Sequence, residues 1–236
     1  MSISENIAAV RDGIAAACRS AGRDPREITL VGASKMNDAS RCRQAIAAGI
    51  DALGENRVQE LTEKWEEHAY DGAPLHFIGH LQRNKVKNVV GLASLIHSVD
   101  TIALLRQIDR VAAEKGLVQD VLLEINVGAE ASKSGFAPEE LPSALAAAGE
   151  LPNIRVRGLM AIPPICASGE ENRRYFVRIR QLFVDNCEKK YDNVRMDFMS
   201  MGMSGDYETA VECGAHIVRV GTAIFGERHY PPNTSG

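Results

Sequence analysis

The chain has 236 residues, 45% of them hydrophobic and 25% charged, the balance of a folded globular protein and not of a disordered or fibrous one. A formal charge of −4 and a pI near 5.9 argue against the basic face that nucleic-acid phosphates demand. Five cysteines, Cys18, Cys42, Cys166, Cys187 and Cys213, odd in number and never spaced C-x-x-C, speak against a disulfide framework or a zinc knuckle and fit a reducing cytoplasm.

At the amino end, Ile3, Ile7, Val10, Ile14 and Cys18 recur at three- and four-residue spacing, the period of an amphipathic helix. Glu5 and Arg11 interrupt this stretch before the apolar core of a secretory signal can form. The longest apolar run, VVGLASLI, is far short of the ~20 residues that span a bilayer.

From Ile28 onward, short β-rich segments alternate with helix-compatible ones. ITLVGAS is followed by a helix from about Asp38 to Ala48, then DALGEN, then a helix from about Val58 to Ala69. LHFIGH, LIHSVD, VLLEINV, IRVRGLMAI, RMDFMSM and HIVRVGTAIFG continue the alternation. Asp38 and Thr101 stand where helix caps are needed, and Pro138 suits a first turn, whereas Pro142 implies a kink or two short pieces. Arg173, Arg174, Arg178 and Arg180 are accompanied by Glu170, Glu171 and Glu188 and read as a solvated helix face. Eight strands, each joined to the next through a helical stretch, predict parallel pairing and a single closed (β/α)₈ barrel domain over residues 1–236, with an extra N-terminal helix; an open doubly wound sheet is the rival.

In such a barrel the carboxyl ends of the strands meet on one face, where the sites of this fold sit, so the polar residues just past each apolar run matter. They are Lys35, then Glu55 and Asn56, His80, Asp100 and Asn126, with Met160 and Pro163 after strand six. Strand seven supplies Ser200, Met201 and GMSGD; strand eight supplies Arg219, Gly221 and Thr222. Glycines and hydroxyls in those last two loops suit an anion, though Ser204 or Asp206 serving as helix caps accounts for the same residues. Lys35 either snorkels to solvent or, partly desolvated, attacks a carbonyl. Arg219 reads as a pocket residue or as half of a structural ion pair. Asn126, Ser132 and Lys133 line the mouth or simply build a loop. His76 and His80, four apart on a strand, are too far apart to share a metal. No P-loop, dinucleotide fingerprint or nucleophile elbow is present.

The ordered segments LVGASK, LGENRVQEL, LHFIGHLQRNK, INVGAEASKSGF, RGLMAIPP, SMGMSGDYETAV and VRVGTAIFGER resemble the YggS/PROSC family of pyridoxal phosphate homeostasis proteins, and more distantly the barrel domain of alanine racemases. The likeness runs from about Glu5 to Arg228. It implies pyridoxal 5′-phosphate as cofactor, carried as a Schiff base on Lys35, with Arg219 facing the pyridine nitrogen. It implies that Ser204, Gly221 and Thr222 hold the phosphate and that Asn56, Ser200 and Met201 line the cofactor. Arginine keeps its proton, so such a ring is a weak electron sink, which suits storage and delivery to apo-enzymes over turnover. Amino-acid racemization is the alternative activity. A lone barrel without the racemase partner domain is expected to be a monomer in the cytoplasm, with neither a bound metal nor nucleic acid. Two positions depart from the family's common pattern: Arg57 replaces an aromatic after GEN, and Met36 follows the lysine where threonine is usual.

Overall fold

The computed structural model describes residues 1–130, 134–164, 168–188 and 191–227. Ser132, Lys133 and Cys166 lie outside the described residues. Eight strands form the centre: β1 (Thr29–Ala33), β2 (Ala52–Glu55), β3 (Leu75–Phe77), β4 (Leu95–Val99), β5 (Gln119–Ile125), β6 (Ile154–Ala161), β7 (Val194–Ser200) and β8 (Ile217–Val220). Every neighbouring pair is parallel, and β1 closes on β8 through Thr29 opposite Ile217 and Val31 opposite Arg219. The closed barrel expected from the alternation is therefore present, and the open sheet is not.

Around it run α1 (Ile3–Ala21), α2 (Ala39–Ala47), α3 (Val58–Glu66), α4 (Ile102–Glu114), α5 (Leu141–Gly149), α6 (Gly169–Asp185), α7 (Tyr207–Glu212) and α8 (Thr222–Phe225). Local chemistry sets several starts. Ser2 and Glu5 form a reciprocal capping box on α1, Asp38 accepts from the Arg41 amide, and Thr101 accepts from the Leu104 amide. Pro142 falls in the first turn of α5, where no amide is required, after a separate 3₁₀ turn at Pro138–Glu140.

Two expectations need correction. Between β3 and β4 the chain forms a 3₁₀ segment, Arg83–Asn88, instead of an α-helix. Val86 is its buried side chain, and the Val89 amide that closes the segment donates to the Val86 carbonyl at 3.0 Å, the three-residue bond of a 3₁₀ turn. The final strand stops at Val220, because Gly221 (φ −112°, ψ −80°) leaves the extended path and its carbonyl receives the Ile224 and Phe225 amides, so TAIF becomes a helical turn.

Strand alternation divides the interior. Val31, Ala52, Leu95, Leu122, Met160 and Ile217 fill the barrel lumen, while the opposite faces pack beneath the helices. α1 lies along α7 and α8, and Asn6 Nδ2 donates to the Ile224 carbonyl at 2.8 Å. Among the described residues no helix is long and apolar enough to cross a membrane.

Candidate functional site

Lys35 is half-buried in the turn that follows β1, and the residues on either side of it are gripped by the neighbouring α3 layer. On one side, Ser34 donates its amide to the Gly54 carbonyl at 2.9 Å and its hydroxyl to Glu55 Oε1 at 2.6 Å, while Lys64 Nζ donates to the Ser34 carbonyl at 2.9 Å. On the other, Met36 takes a left-handed conformation (φ 62°) and its amide donates to Glu60 Oε2 at 2.7 Å. Asn37 Nδ2 donates to the Lys35 carbonyl at 3.1 Å.

The base of this clamp is a buried ion pair, Lys64 Nζ to Glu55 Oε1 at 2.6 Å, joined by the Tyr70 hydroxyl at 3.3 Å. Burial pushes the Glu55 carboxyl up, and Lys64 and Ser34 oppose that rise. Glu55, one of the polar residues just past the second strand, is thus taken up by a buried ion pair.

Across the barrel, Arg219 is 4% exposed and points into the lumen. Its Nη2 donates to the Ala161 carbonyl at 3.0 Å and its Nη1 to Ser200 Oγ. Ser200 Oγ is also 2.9 Å from His97 Nδ1, and His97 Nε2 is 3.0 Å from His76 Nδ1. Arginine only donates. Ser200 Oγ is buried and meets no other acceptor among the described residues, so its hydrogen goes to His97 Nδ1. The rest follows in one direction: both histidines carry their hydrogen on Nε2. Burial holds His76 down to about 4 and His97 well below its ordinary value, so both are neutral. Burial also lowers Arg219 to about 10, against the pull of Glu124 and Asp206, which still leaves it charged at neutral pH.

The loops after β7 and β8 come together at Ser204. Its Oγ accepts from the amides of Gly221 at 3.1 Å and Ala223 at 3.3 Å, so its own hydrogen is left to donate outward. Ser204 does not cap α7. Neither does Asp206 through its side chain, which instead accepts from the Met203 amide at 2.6 Å and from Asn172 Nδ2 at 2.8 Å. Gly202 (φ 92°) makes the sharp turn possible, since a Cβ there would sit 2.5 Å from Ala210 Cβ. Thr222 opens α8 with its side chain exposed.

A cavity of about 310 Å³ opens between β2 and β5, bounded by Asn56, His80, Glu124, Asn126, Ser134 and Ile162. The loop after β3 lies against Asn56 because Gly79 has no side chain; a Cβ there would meet the Asn56 carbonyl oxygen at 2.1 Å. Asn56 Oδ1 is buried without a hydrogen-bond partner among the described residues. His80 Nδ1 is 3.1 Å from Asp100 Oδ2 and 3.2 Å from Ser134 Oγ. Burial raises the Glu124 carboxyl to about 7, helped by Asp100 and opposed by Arg219 and His80.

The sequence reading therefore finds several members of one group, Lys35, Asn56, Ser200, Ser204, Arg219, Gly221 and Thr222, at or just inside the carboxyl end of the barrel. Met201 differs: it is fully buried within the main core, its amide donating to the Ile217 carbonyl at 3.1 Å, and alternation turns its side chain away from Ser200. Three residues escaped that reading: His76, His97 and Glu124. Each occupies the inward register of its strand, and a polar residue inside an otherwise apolar β-rich run was the signal that could have found it. Among the described residues no group of histidine, cysteine and carboxylate side chains is arranged to hold a metal.

Known proteins share this architecture. The family model for the alanine racemase N-terminal domain matches residues 6–229. A pyridoxal phosphate homeostasis protein from Aquifex aeolicus is 44% identical over 230 residues, covering 98% of this chain and 100% of the relative. PipY from Synechococcus elongatus, solved with PLP bound, superposes with a TM-score of 0.82 at 32% identity, over 95% of this chain and 100% of PipY. The same protein solved without PLP gives a TM-score of 0.84 at 33% identity over the same shares.

Proposed function

Because the chain belongs to the family of pyridoxal phosphate homeostasis proteins, built on the alanine racemase N-terminal domain, we propose that it binds pyridoxal 5′-phosphate at the carboxyl end of its barrel and acts in intracellular storage and delivery of that cofactor. When bound, the cofactor supplies an aldehyde, a phosphate and a pyridine ring. The residues present fit all three. The observation that carries the reading is the meeting of an amine, an anion cradle and a buried guanidinium at one barrel end, with the buried Asn56 Oδ1 beside them unpaired among the described residues.

Lys35 holds the aldehyde as a Schiff base, its amine aimed by the clamp on Ser34 and Met36. Ser204, with its outward hydroxyl hydrogen, and Gly221 and Thr222 at the start of α8 hold the phosphate. Arg219 faces the ring nitrogen and, charged at neutral pH, gives it no proton. Asn56 and Ser200 line the cofactor.

Storage is favoured over racemization by the tyrosines. A two-base racemase needs a second acid or base opposite the lysine. Here the Tyr70 hydroxyl is spent on Glu55 beneath the Lys35 turn, and the Tyr207 hydroxyl on Glu208. Tyr230 lies outside the described residues. We place the protein as a monomer that meets apo-enzymes transiently.

The test is direct. Purified protein loaded with cofactor is expected to be yellow, and borohydride reduction followed by peptide mapping should put the label on Lys35. A Lys35→Ala protein that keeps the band, or a label found on another residue, overturns the assignment. Sustained formation of D-alanine from L-alanine at ordinary enzymatic rates, about 1 s⁻¹ or above, overturns the storage role.

A further inference from the structure

The turn that carries Lys35 and the short helix α8 leave neighbouring strands. β1 pairs with β8, Gly32 opposite Val220, and a Cβ added at Gly221 would lie 3.5 Å from the Ala33 Cβ. The turn is closed by the Asn37 amide, which donates to the Ser34 carbonyl at 3.0 Å, and α3 grips it from the β2 side. α8 lies on the other side, toward β8. With four residues it is far too short to persist as a helix by itself, so its place depends on ties to other segments.

One arginine joins the two. Arg41, in the first turn of α2, donates from Nε to Asn37 Oδ1 at 2.8 Å and from Nη2 to the Phe225 carbonyl, 184 residues away. Asn37 in turn donates from Nδ2 to the Lys35 carbonyl at 3.1 Å. Arginine only donates, so Asn37 turns its oxygen to Arg41 and its nitrogen to Lys35, which gives one directed chain. The Phe225 carbonyl is among those that the end of a helix cannot satisfy internally. Beside it the Ile224 carbonyl accepts from Asn6, and at the start of α8 the Gly221 and Ala223 amides meet Ser204. Both ends of α8 are thus held by side chains from elsewhere, and only the Arg41 tie leads on to the lysine turn.

We propose that Arg41 is a positioning residue that couples the phosphate seat to the lysine: an anion that settles α8 also settles the Lys35 turn, through Phe225, Arg41 and Asn37. The inference rests on the proposed placement of the phosphate at α8 and the aldehyde at Lys35. Such coupling is reciprocal, so the two ends of the cofactor strengthen each other's hold although Arg41 touches neither. It also confers selectivity. An aldehyde without a phosphate loses the phosphate contacts and, in addition, the ordering of the amine it must reach.

Two measurements on the full-length chain test this. In cofactor-free protein, hydrogen exchange of the Asn37 amide reports closure of the turn. Saturating inorganic phosphate should slow it by about fivefold or more, the lower end of ordinary coupling, and the slowing should vanish in Arg41→Ala. Equal slowing in both proteins, or none in the parent, overturns the proposal. The second measurement compares association constants for pyridoxal 5′-phosphate, 5′-deoxypyridoxal (no phosphate), pyridoxine 5′-phosphate (no aldehyde) and 5′-deoxypyridoxine (neither). The product of the first and last, divided by the product of the middle two, is the coupling between aldehyde and phosphate. It should be about 5 or more in the parent and fall toward unity in Arg41→Ala and in Asn37→Ala, which breaks the chain at its middle. A merely structural role lowers all four constants together, and a role in the phosphate seat alone lowers both phosphorylated ligands equally. Either result leaves the ratio unchanged and overturns the proposal. Should borohydride mapping miss Lys35, the attachment reading fails by itself, while the exchange measurement still decides whether an anion at α8 tightens this turn.

Discussion

Lys64 Nζ stands 2.9 Å from the Ser34 carbonyl, so a helix outside the barrel holds the backbone from which Lys35 springs. The same ammonium is 2.6 Å from Glu55 Oε1, and both side chains are almost wholly buried.

Replacing Lys64 by Met removes the partner of a buried carboxylate, a change that costs about 3–5 kcal/mol, and urea denaturation should record a loss of that order. The double change Lys64→Met with Glu55→Leu removes both charges and is expected to recover most of the stability. It leaves the Ser34 carbonyl unheld, however. Attachment of cofactor at Lys35, followed by stopped-flow absorbance, should remain slower than in the parent protein; a fully restored rate would show that the clamp has no part in aiming the lysine.

The one-way chain from Arg219 through Ser200 and His97 to His76 predicts a definite proton arrangement. Nitrogen NMR should find the Nε2–H tautomer on both rings, each remaining neutral at pH 5.5, well above the value of about 4 to which burial holds His76. A protonated Nδ1 on His97 would contradict it. Ser200→Ala strands the Arg219 donor and the His97 acceptor, and should cost on the order of 1–3 kcal/mol in unfolding measurements.

Glu124 predicts a pH dependence with a sign. Its carboxyl rises from 4.5 to about 7 on folding, so between those values the folded chain keeps a proton that the unfolded chain has lost. Stability from this group is therefore undiminished below about pH 4.5 and declines as pH climbs to about 7. Glu124→Gln, which cannot ionise, should gain stability relative to the parent between pH 5 and pH 8 by about 1–3 kcal/mol. Urea midpoints measured at both pH values check this, and parallel changes in the two proteins would refute it.

Thr222 is exposed, so Thr222→Val should leave the thermal midpoint nearly unchanged. Loss of a hydroxyl donor to a bound phosphate is expected to weaken retention of pyridoxal phosphate by roughly 10-fold to 100-fold in equilibrium dialysis. Equal retention would move the anion site away from α8.

Much of this arrangement is legible along the chain because it depends on local rules. Short β-rich runs between helical stretches mark the strands, Asp38 and Thr101 mark helix starts, and polar residues just past each run fall at one end of a parallel barrel. Lys35, Arg219 and the Ser204 loop are found this way. The 3₁₀ segment at Arg83–Asn88 is not, because the helical pattern of so short a stretch does not separate a three-residue repeat from an α turn.

The amino-acid sequence by itself determined the order of elements and the end of a parallel sheet where chemistry gathers, since these follow from periodicity and from the fixed handedness of parallel crossovers; that the sheet closes into a barrel and does not stay open is seen in the pairing of β1 with β8. Tertiary structure alone decided the partnerships: His97 with Ser200, 103 residues apart, Lys64 with Ser34, 30 apart, and Glu124 beside Asp100. Those contacts depend on strand stagger and barrel closure, which bring distant inward-facing side chains within hydrogen-bonding reach and remove the water that would otherwise screen them.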